Sequence, residues 1–568
     1  MLTYDMVFVP RLELARGLLG LEVAVPRAVP ADLLVALASR VVPADLLQKL
    51  LLAGIFVGAA AGAARLVPAR GVAARAAAAV LYAWNPFVYE RLLMGHWALL
   101  VSYAALPWVV AAAVDLRNGR GGAARLVVTL AVAAFGSPAG GLIAAGTAIC
   151  VVASPPWRQP AGHQAPADAR EAAAGPAVAA RRAALVLGVA LVVSAPWLVP
   201  SLLRPGGLPV RPEGTAAFAS RPDGPLGTVG SLLGLGGIWN AFTVPPGLGS
   251  WPWLAGFAVV LAVAAAGLPL LPRRLGTGAA AGVLLAGGLG LLLAAAYALP
   301  GLRVLVDLAV QHLPGGGLLR DAQKFVAPLA LLEAVAFGLG VERLPPMLPA
   351  RRRAAATVVL ILAPLLLLPA LAWGAAGRLA AVPYPRAFQE ARAAMAADQV
   401  QGAVLVLPWH LYLAFPWNGD RVVLGPAQRW FTRRAVGNDD LELVGLTVPG
   451  EDPYGTRLGP LVGGTAPLRP ALPAAGICYV LVFKVGDWSG YLPRLAGLVP
   501  VLDRAELALY RVPASPSAVR FATPPVAPVV AADLLAVALV LWALAGLSLP
   551  AGVRQLVSSG RSPPGGRR

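Results

Sequence analysis

Three ionisable side chains, Glu90, Arg91 and His96, stand in the run Asn85-Pro86-Phe87-Val88-Tyr89-Glu90-Arg91-Leu92-Leu93-Met94-Gly95-His96-Trp97, between two strongly apolar segments. Charged groups near hydrocarbon are costly unless they pair or face water, so this run is expected to line a cavity. Glu90 and Arg91 are adjacent and cannot face each other on a helix, so one of them needs another partner. Arg91 and His96 lie about a turn and a half apart if helical, near enough to serve one site. Asn85, Glu90 and His96 also have a structural use, closing helix ends and interhelical hydrogen bonds. Glu333 is a carboxylate inside the apolar stretch 324-343 and would suit a proton-coupled transporter.

The elements that position these groups follow from composition. Of 568 residues, 58% are hydrophobic and 13% charged, and mean hydropathy is +0.72; this describes a polytopic α-helical membrane protein. The net charge of +19 would suggest nucleic acid in a soluble chain, but here arginines cluster in short gaps between apolar runs, as in cytoplasmic membrane loops, so no nucleic acid is expected. Cys150 and Cys478, the two cysteines, indicate neither a disulfide framework nor a thiolate metal site. Lysine is confined to Lys49, Lys324 and Lys484 amid abundant Arg, Ala, Gly and Pro, which reads as GC-rich, actinobacterial coding bias.

With ~20 apolar residues needed per bilayer crossing, about 11 transmembrane helices are expected, near 48-66, 74-89, 97-114, 124-136, 139-153, 183-201, 253-272, 277-298, 324-343, 355-375 and 529-548. The short pair around Gly136-Ser137-Pro138 has an alternative reading as one kinked span. The eleven spans put six basic gaps on one side: Arg65 to Arg75, Arg117 to Arg125, Arg158 to Arg182, Arg273 with Arg274, Arg343 to Arg353, and Arg554 to Arg568. The segments 202-252, 299-323 and 376-528 then face outward, as does Met1. Since nothing in 1-47 is apolar enough to carry that end across, a twelfth helix upstream of Leu2 is expected in the native chain.

Four regions result: a first extracytoplasmic loop, 1-47, with interfacial helices near 30-37 and 43-47; a transmembrane core, 48-375; an extracytoplasmic α/β domain, 376-528; and a final helix with a basic cytoplasmic tail, 529-568. Residues 154-181, polar and without periodicity, read as a flexible cytoplasmic linker. Short runs at 404-407, 421-424, 479-483 and 507-512 read as strands and 388-395 as a helix. Trp239, Asn240, Trp251 and Trp253 in the 202-252 loop are candidate sugar-stacking or interface residues, and Trp409, His410, Trp417, Asn418 and Asp420 are candidates for an acceptor-glycan surface. Neither a phosphate-cradling GxxxxGK[ST] nor a strand-linked GxGxxG is present, so no nucleotide cofactor is expected.

The opening Tyr4-Asp5-Met6-Val7-Phe8-Val9-Pro10, the run Asn85 to Trp97 continuing to Tyr103-Ala104-Ala105-Leu106-Pro107-Trp108, and Leu318-Leu319-Arg320-Asp321-Ala322-Gln323-Lys324-Phe325 resemble the GT-C class of polytopic membrane glycosyltransferases, including arabinofuranosyltransferase-like bacterial members. The resemblance implies a plasma-membrane enzyme that moves a sugar from a polyprenyl-phosphate donor to a cell-envelope glycan or lipid acceptor. It also implies an acidic catalytic group in the first outer loop, a role Asp5 would take. Such a carboxylate accepts the acceptor's proton or holds a divalent metal ion against the leaving phosphate; Glu13, Glu22 and Asp32 are open candidates for a second acidic group. Arg320, Asp321 and Lys324 precede a span on the outer side, where a lipid-linked phosphate would sit. Arginine offers phosphate a planar fork and lysine a point charge, and the same basic residues would also anchor a helix at headgroups. Arg91, His96, Glu90 and Asn85 complete the candidate substrate contacts. The alternatives are a transporter or flippase of lipid-linked intermediates and a noncatalytic scaffold.

Overall fold

The computed structural model describes residues 1–67, 71–156, 175–208, 213–313 and 315–548. Most of the expected linker 154-181, part of the basic gaps at Arg70 and Arg158, and the tail from Arg554 lie outside the described residues. Among the described residues, seven helices are long and apolar enough to cross a bilayer: Ala44–Leu66, Trp97–Arg117, Pro176–Leu202, Trp251–Leu275, Thr277–Ala298, Ala322–Met347 and Val526–Ser548. An eighth crossing is available if Ala350–Leu367 and Pro369–Ala376, bent by 64°, count as one span.

Three of the eleven expected spans fall short. The region 74-89 is two helices, α3 (Val72–Ala83) and α4 (Pro86–Leu93), because Pro86 drives the preceding residue out of the helical region. Asn85 is extended and caps α4 instead. Ala123–Gly136 and Pro138–Ala153 are separate short helices, with Ser137 extended and its hydroxyl accepting from the Gly140 amide, so the continuous kinked span is not formed. The expected interfacial helix at 43-47 is likewise the first turn of the span Ala44–Leu66, whereas Ala31–Ala38 is a short helix of its own.

The bundle is organised around Ala322–Met347, whose apolar stretch is 89% buried within the protein. Glycines permit the closest approaches to it: a Cβ on Gly340 would lie 2.0 Å from the Val263 carbonyl oxygen, and one on Gly267 1.9 Å from that of Ala336. Helix association in lipid depends on such small residues, because apolar side chains gain little by leaving hydrocarbon tails.

Beyond the bundle, helix Arg386–Ala397 leads into a five-stranded sheet ordered β4-β1-β7-β9-β8. Its strands are β1 (Ala403–Leu407), β4 (Ala435–Val436), β7 (Ile477–Phe483), β8 (Val499–Asp503) and β9 (Leu507–Arg511). β1 runs parallel to β4 and β7, while β9 is antiparallel to β7 and β8. β1 and β7 are buried along their whole length, which is why they read as continuous apolar runs rather than alternating ones. A separate hairpin, β2 (Tyr412–Ala414) with β3 (Val422–Leu424), reaches toward the bundle.

Candidate active site

The first residues of the chain are clamped between the bundle and the β2–β3 hairpin. Tyr4 donates its amide to the Val422 carbonyl (2.8 Å) and accepts at its own carbonyl from the Leu424 amide (2.9 Å), as an added strand would. On the bundle side, the Asp5 amide donates to the Met94 carbonyl (3.1 Å) and the Thr3 hydroxyl to the Leu93 carbonyl (2.9 Å). Gly95, at φ 77°, makes this approach possible, since a Cβ there would lie 2.1 Å from the Met6 nitrogen. The depth of Asp5 is therefore set by backbone bonds to α4's end and to the sheet domain.

The Asp5 carboxylate receives the Tyr412 hydroxyl at Oδ1 (2.6 Å) and meets His96 Nε2 at Oδ2 (3.2 Å), with 42% of its side chain still exposed. On the other side of the imidazole, His96 Nδ1 lies 3.0 Å from Arg91 Nη1. A guanidinium can only donate, so Nδ1 accepts and the ring hydrogen on Nε2 points at Asp5. Arg91, fully buried, is gripped by both carboxylate oxygens of Asp321 and by Gln323 Oε1 (2.9 Å from Nε). A single hydrogen-bonded line thus runs Asp321–Arg91–His96–Asp5–Tyr412. Surrounding protein pushes the Asp5 carboxyl upward, but the hydrogen bonds of His96 and of the Tyr412 hydroxyl, with the Arg27 guanidinium, together hold it below the usual carboxylate range. Asp321 is held low in the same sense, burial being outweighed by the charge and hydrogen bonds of Arg91.

Behind this line, Gln323 Nε2 donates to Glu90 Oε2 (3.0 Å), so the adjacent Glu90 and Arg91 are joined through one amide rather than to each other. Asn85 spends its side chain on helix ends, accepting from Val88 N (3.1 Å) and donating to the Leu81 and Tyr82 carbonyls (2.9 Å each). The structure therefore places Asn85 and Glu90 behind the site, buried at 2% and 0% exposure. Lys324 is buried, donating to the Arg320 carbonyl (2.7 Å). Arg320 turns toward the sheet domain, where Glu451 accepts from it (3.0 Å) and from Arg27 (2.7 Å). Arg320 and Asp321 also edge a small pocket lined by Leu293, Tyr297, Val306 and Phe325.

Among the described residues, no group of three or more His, Cys, Asp or Glu side chains is placed to hold a metal ion, and both Asp5 oxygens already have partners. These residues do not fit a three-ligand metal site around Asp5. In the sheet domain, Asn418 is fully buried, which removes it from any glycan surface, and Trp417 is half-buried with its ring against Phe388 and Phe415. Trp253 stacks on Phe257 within the bundle, and Asn240 caps a short turn through Phe242 N. Sequence reasoning passed over Tyr412, Gln323, Arg27 and Glu451. Gln323 sits between two residues it did single out, and a buried amide beside two charged groups is a bridging signal; the other three owe their role to long-range contacts alone.

No protein-family model matches the chain, and no curated protein does. Among solved structures, arabinofuranosyltransferase AftD from mycobacteria superposes with a TM-score of 0.55 at 18% identity, covering 87% of this chain and 36% of AftD. A class 2 structure of an AftD mutant gives 0.52 at 19% identity, covering 84% and 36%. ArnT from Cupriavidus metallidurans overlaps over 89% of this chain and 94% of its own at 12% identity and a TM-score of 0.44. The chain spans about a third of AftD's length. Over the region the two share, the chain with its multi-spanning bundle has the fold of the arabinofuranosyltransferase AftD.

Proposed function

We propose that the chain is a membrane glycosyltransferase of the plasma membrane that moves a sugar from a polyprenyl-phosphate donor to a cell-envelope glycan or lipid acceptor, with Asp5 and the sheet domain on the extracytoplasmic face. The observation that carries this reading is the line Asp321–Arg91–His96–Asp5, which delivers an ionised, partly exposed carboxylate to the junction of bundle and sheet domain.

In the reaction, the acceptor oxygen attacks the sugar's anomeric carbon and its proton passes to Asp5. The bond from that carbon to the phosphate oxygen breaks, and its electron pair leaves with the polyprenyl phosphate. His96 holds one Asp5 oxygen and Tyr412 the other, fixing the lone pair that receives the proton. Arg91, itself oriented by Asp321, fixes the His96 tautomer. Beside Arg320 and Asp321, the side chains of Leu293, Tyr297, Val306 and Phe325 give a prenyl chain apolar surface to lie along, and a donor phosphate there would share the Arg320 guanidinium with Glu451.

Membranes containing the chain, supplied with labelled polyprenyl-phosphate sugars and an envelope extract, test this reading. Asp5→Asn should cut transfer by ~10²–10⁴-fold, the usual worth of a general base, with expression unchanged. Transfer at the native rate by that variant removes Asp5 from the mechanism.

A further inference from the structure

We propose that the loops at the carboxyl ends of β1, β4 and β7 form a binding subsite for an uncharged glycan, the acceptor of the reaction proposed above, on which this inference rests. β1 lies between β4 and β7 and is parallel to both. The chain leaves β1 for β4 on one side and then returns to β7 on the other, so β1 is a topological switch point. In open parallel sheets, such points open a crevice at the carboxyl ends of the strands, and ligands bind there.

The residues following these three strands carry polar groups that meet. After β1 come Trp409 and His410; after β4, Asn438 and Glu442; after β7, Asp487 and Trp488. His410 is held between two carboxylates, Glu442 on the short hairpin that follows β4 and Asp487 in the loop after β7, Nδ1 at 2.8 Å from Glu442 Oε2 and Nε2 at 3.4 Å from Asp487 Oδ1. Asn438, 6% exposed, organises the floor: its amide reaches the Trp409 carbonyl and Glu442 Oε1, both at 3.3 Å. Core packing explains none of this polarity, because the three ionisable side chains remain open to solvent at 38%, 49% and 57% exposure.

The two carboxylates, held in place by His410 between them, keep lone pairs that accept from vicinal hydroxyls, and the flanking indole of Trp409, half-buried, offers apolar surface to a sugar ring. The two carboxylates also repel an anionic chain, which commits the subsite to a neutral glycan. Its place fits the chemistry. His410 is two residues from Tyr412, at most about 7 Å of backbone, and the Tyr412 hydroxyl touches Asp5. A glycan seated on the loops therefore has its end within reach of the carboxylate that takes its proton.

The test is equilibrium binding to the full chain in nanodiscs, read by saturation-transfer NMR with a neutral arabinose oligomer and a galacturonate oligomer of equal length. The neutral oligomer should bind and the uronate should not. His410→Ala and Glu442→Ala should each weaken neutral binding at least tenfold. The shape-conserving pair Glu442→Gln with Asp487→Asn should let the uronate oligomer in. Uronate binding to the native chain, continued exclusion of uronate by the paired variant, or neutral binding unaltered by His410→Ala and Glu442→Ala, overturns the subsite. Because binding is read without turnover, a chain that binds the neutral oligomer but transfers nothing refutes the transferase reading and leaves the subsite standing.

Discussion

Tyr412→Phe isolates the contribution of the sheet domain to the chemistry, because it deletes one hydroxyl and keeps the ring that packs edge-on against Tyr4 at 5.8 Å. The lost bond, from that hydroxyl to Asp5 Oδ1 at 2.6 Å, stabilises the ionised carboxylate more than the neutral acid. A hydrogen bond to a charged group contributes about 1.5–3 kcal/mol, and one pKa unit corresponds to about 1.4 kcal/mol. Since 42% of the Asp5 side chain is exposed, solvent screening favours the lower end, a rise of about one unit. The sign follows from Asp5 being held below its ordinary value in the fold: losing a partner of the anion raises its pKa, so the basic form disappears at higher pH. The acidic limb of kcat/KM should move up by about one pH unit in Tyr412→Phe, with the rates converging as pH rises to neutral, where Asp5 is ionised in both forms. A limb that stays in place while the rate falls at every pH would show that Tyr412 acts on structure or substrate rather than on the Asp5 carboxylate.

Three further outcomes follow from the same geometry. Asp321→Asn leaves the fully buried Arg91 guanidinium without its anion, so thermal unfolding in detergent should report a loss of about 3–5 kcal/mol. Because Arg91 holds Asp321 below its ordinary pKa, this stabilisation is complete above the unfolded value near pH 4 and is lost as pH falls through the lower folded value; Asp321→Asn should flatten that acid loss. Gly340→Ala places a methyl where 2.0 Å separates it from the Val263 oxygen, and forced separation of the two helices should cost at least about 1–3 kcal/mol in the same assay.

The legible part of the fold was what lipid and strand periodicity dictate. Long spans such as Trp97–Arg117 and Pro176–Leu202, the strands β1, β3, β7 and β9 and the helix Arg386–Ala397 all emerge near their expected places. Hydropathy alone misjudged 74-89, since an apolar average hides the break that Asn85-Pro86 imposes. In the site, burial cost correctly singled out Glu90, Arg91 and His96 as groups that must be paired. It could not name their partners, because Arg91 meets Asp321 and Gln323 some 230 positions away and Asp5 meets Tyr412 at 407. Asn418 shows the reverse failure: a polar residue beside a turn reads as surface, yet its amide is drawn inward to the Leu2 and Arg421 carbonyls.

Sugar transfer itself is tested most directly in proteoliposomes holding the purified chain, with a polyprenyl-phosphate donor labelled in the sugar and a neutral oligosaccharide acceptor outside. Label should move covalently to the acceptor with release of one polyprenyl phosphate per transfer, and Asp5→Asn should stop both together. Movement of intact labelled donor between leaflets, with no label on the acceptor and no difference between the native chain and Asp5→Asn, would contradict the transferase and make the chain a flippase.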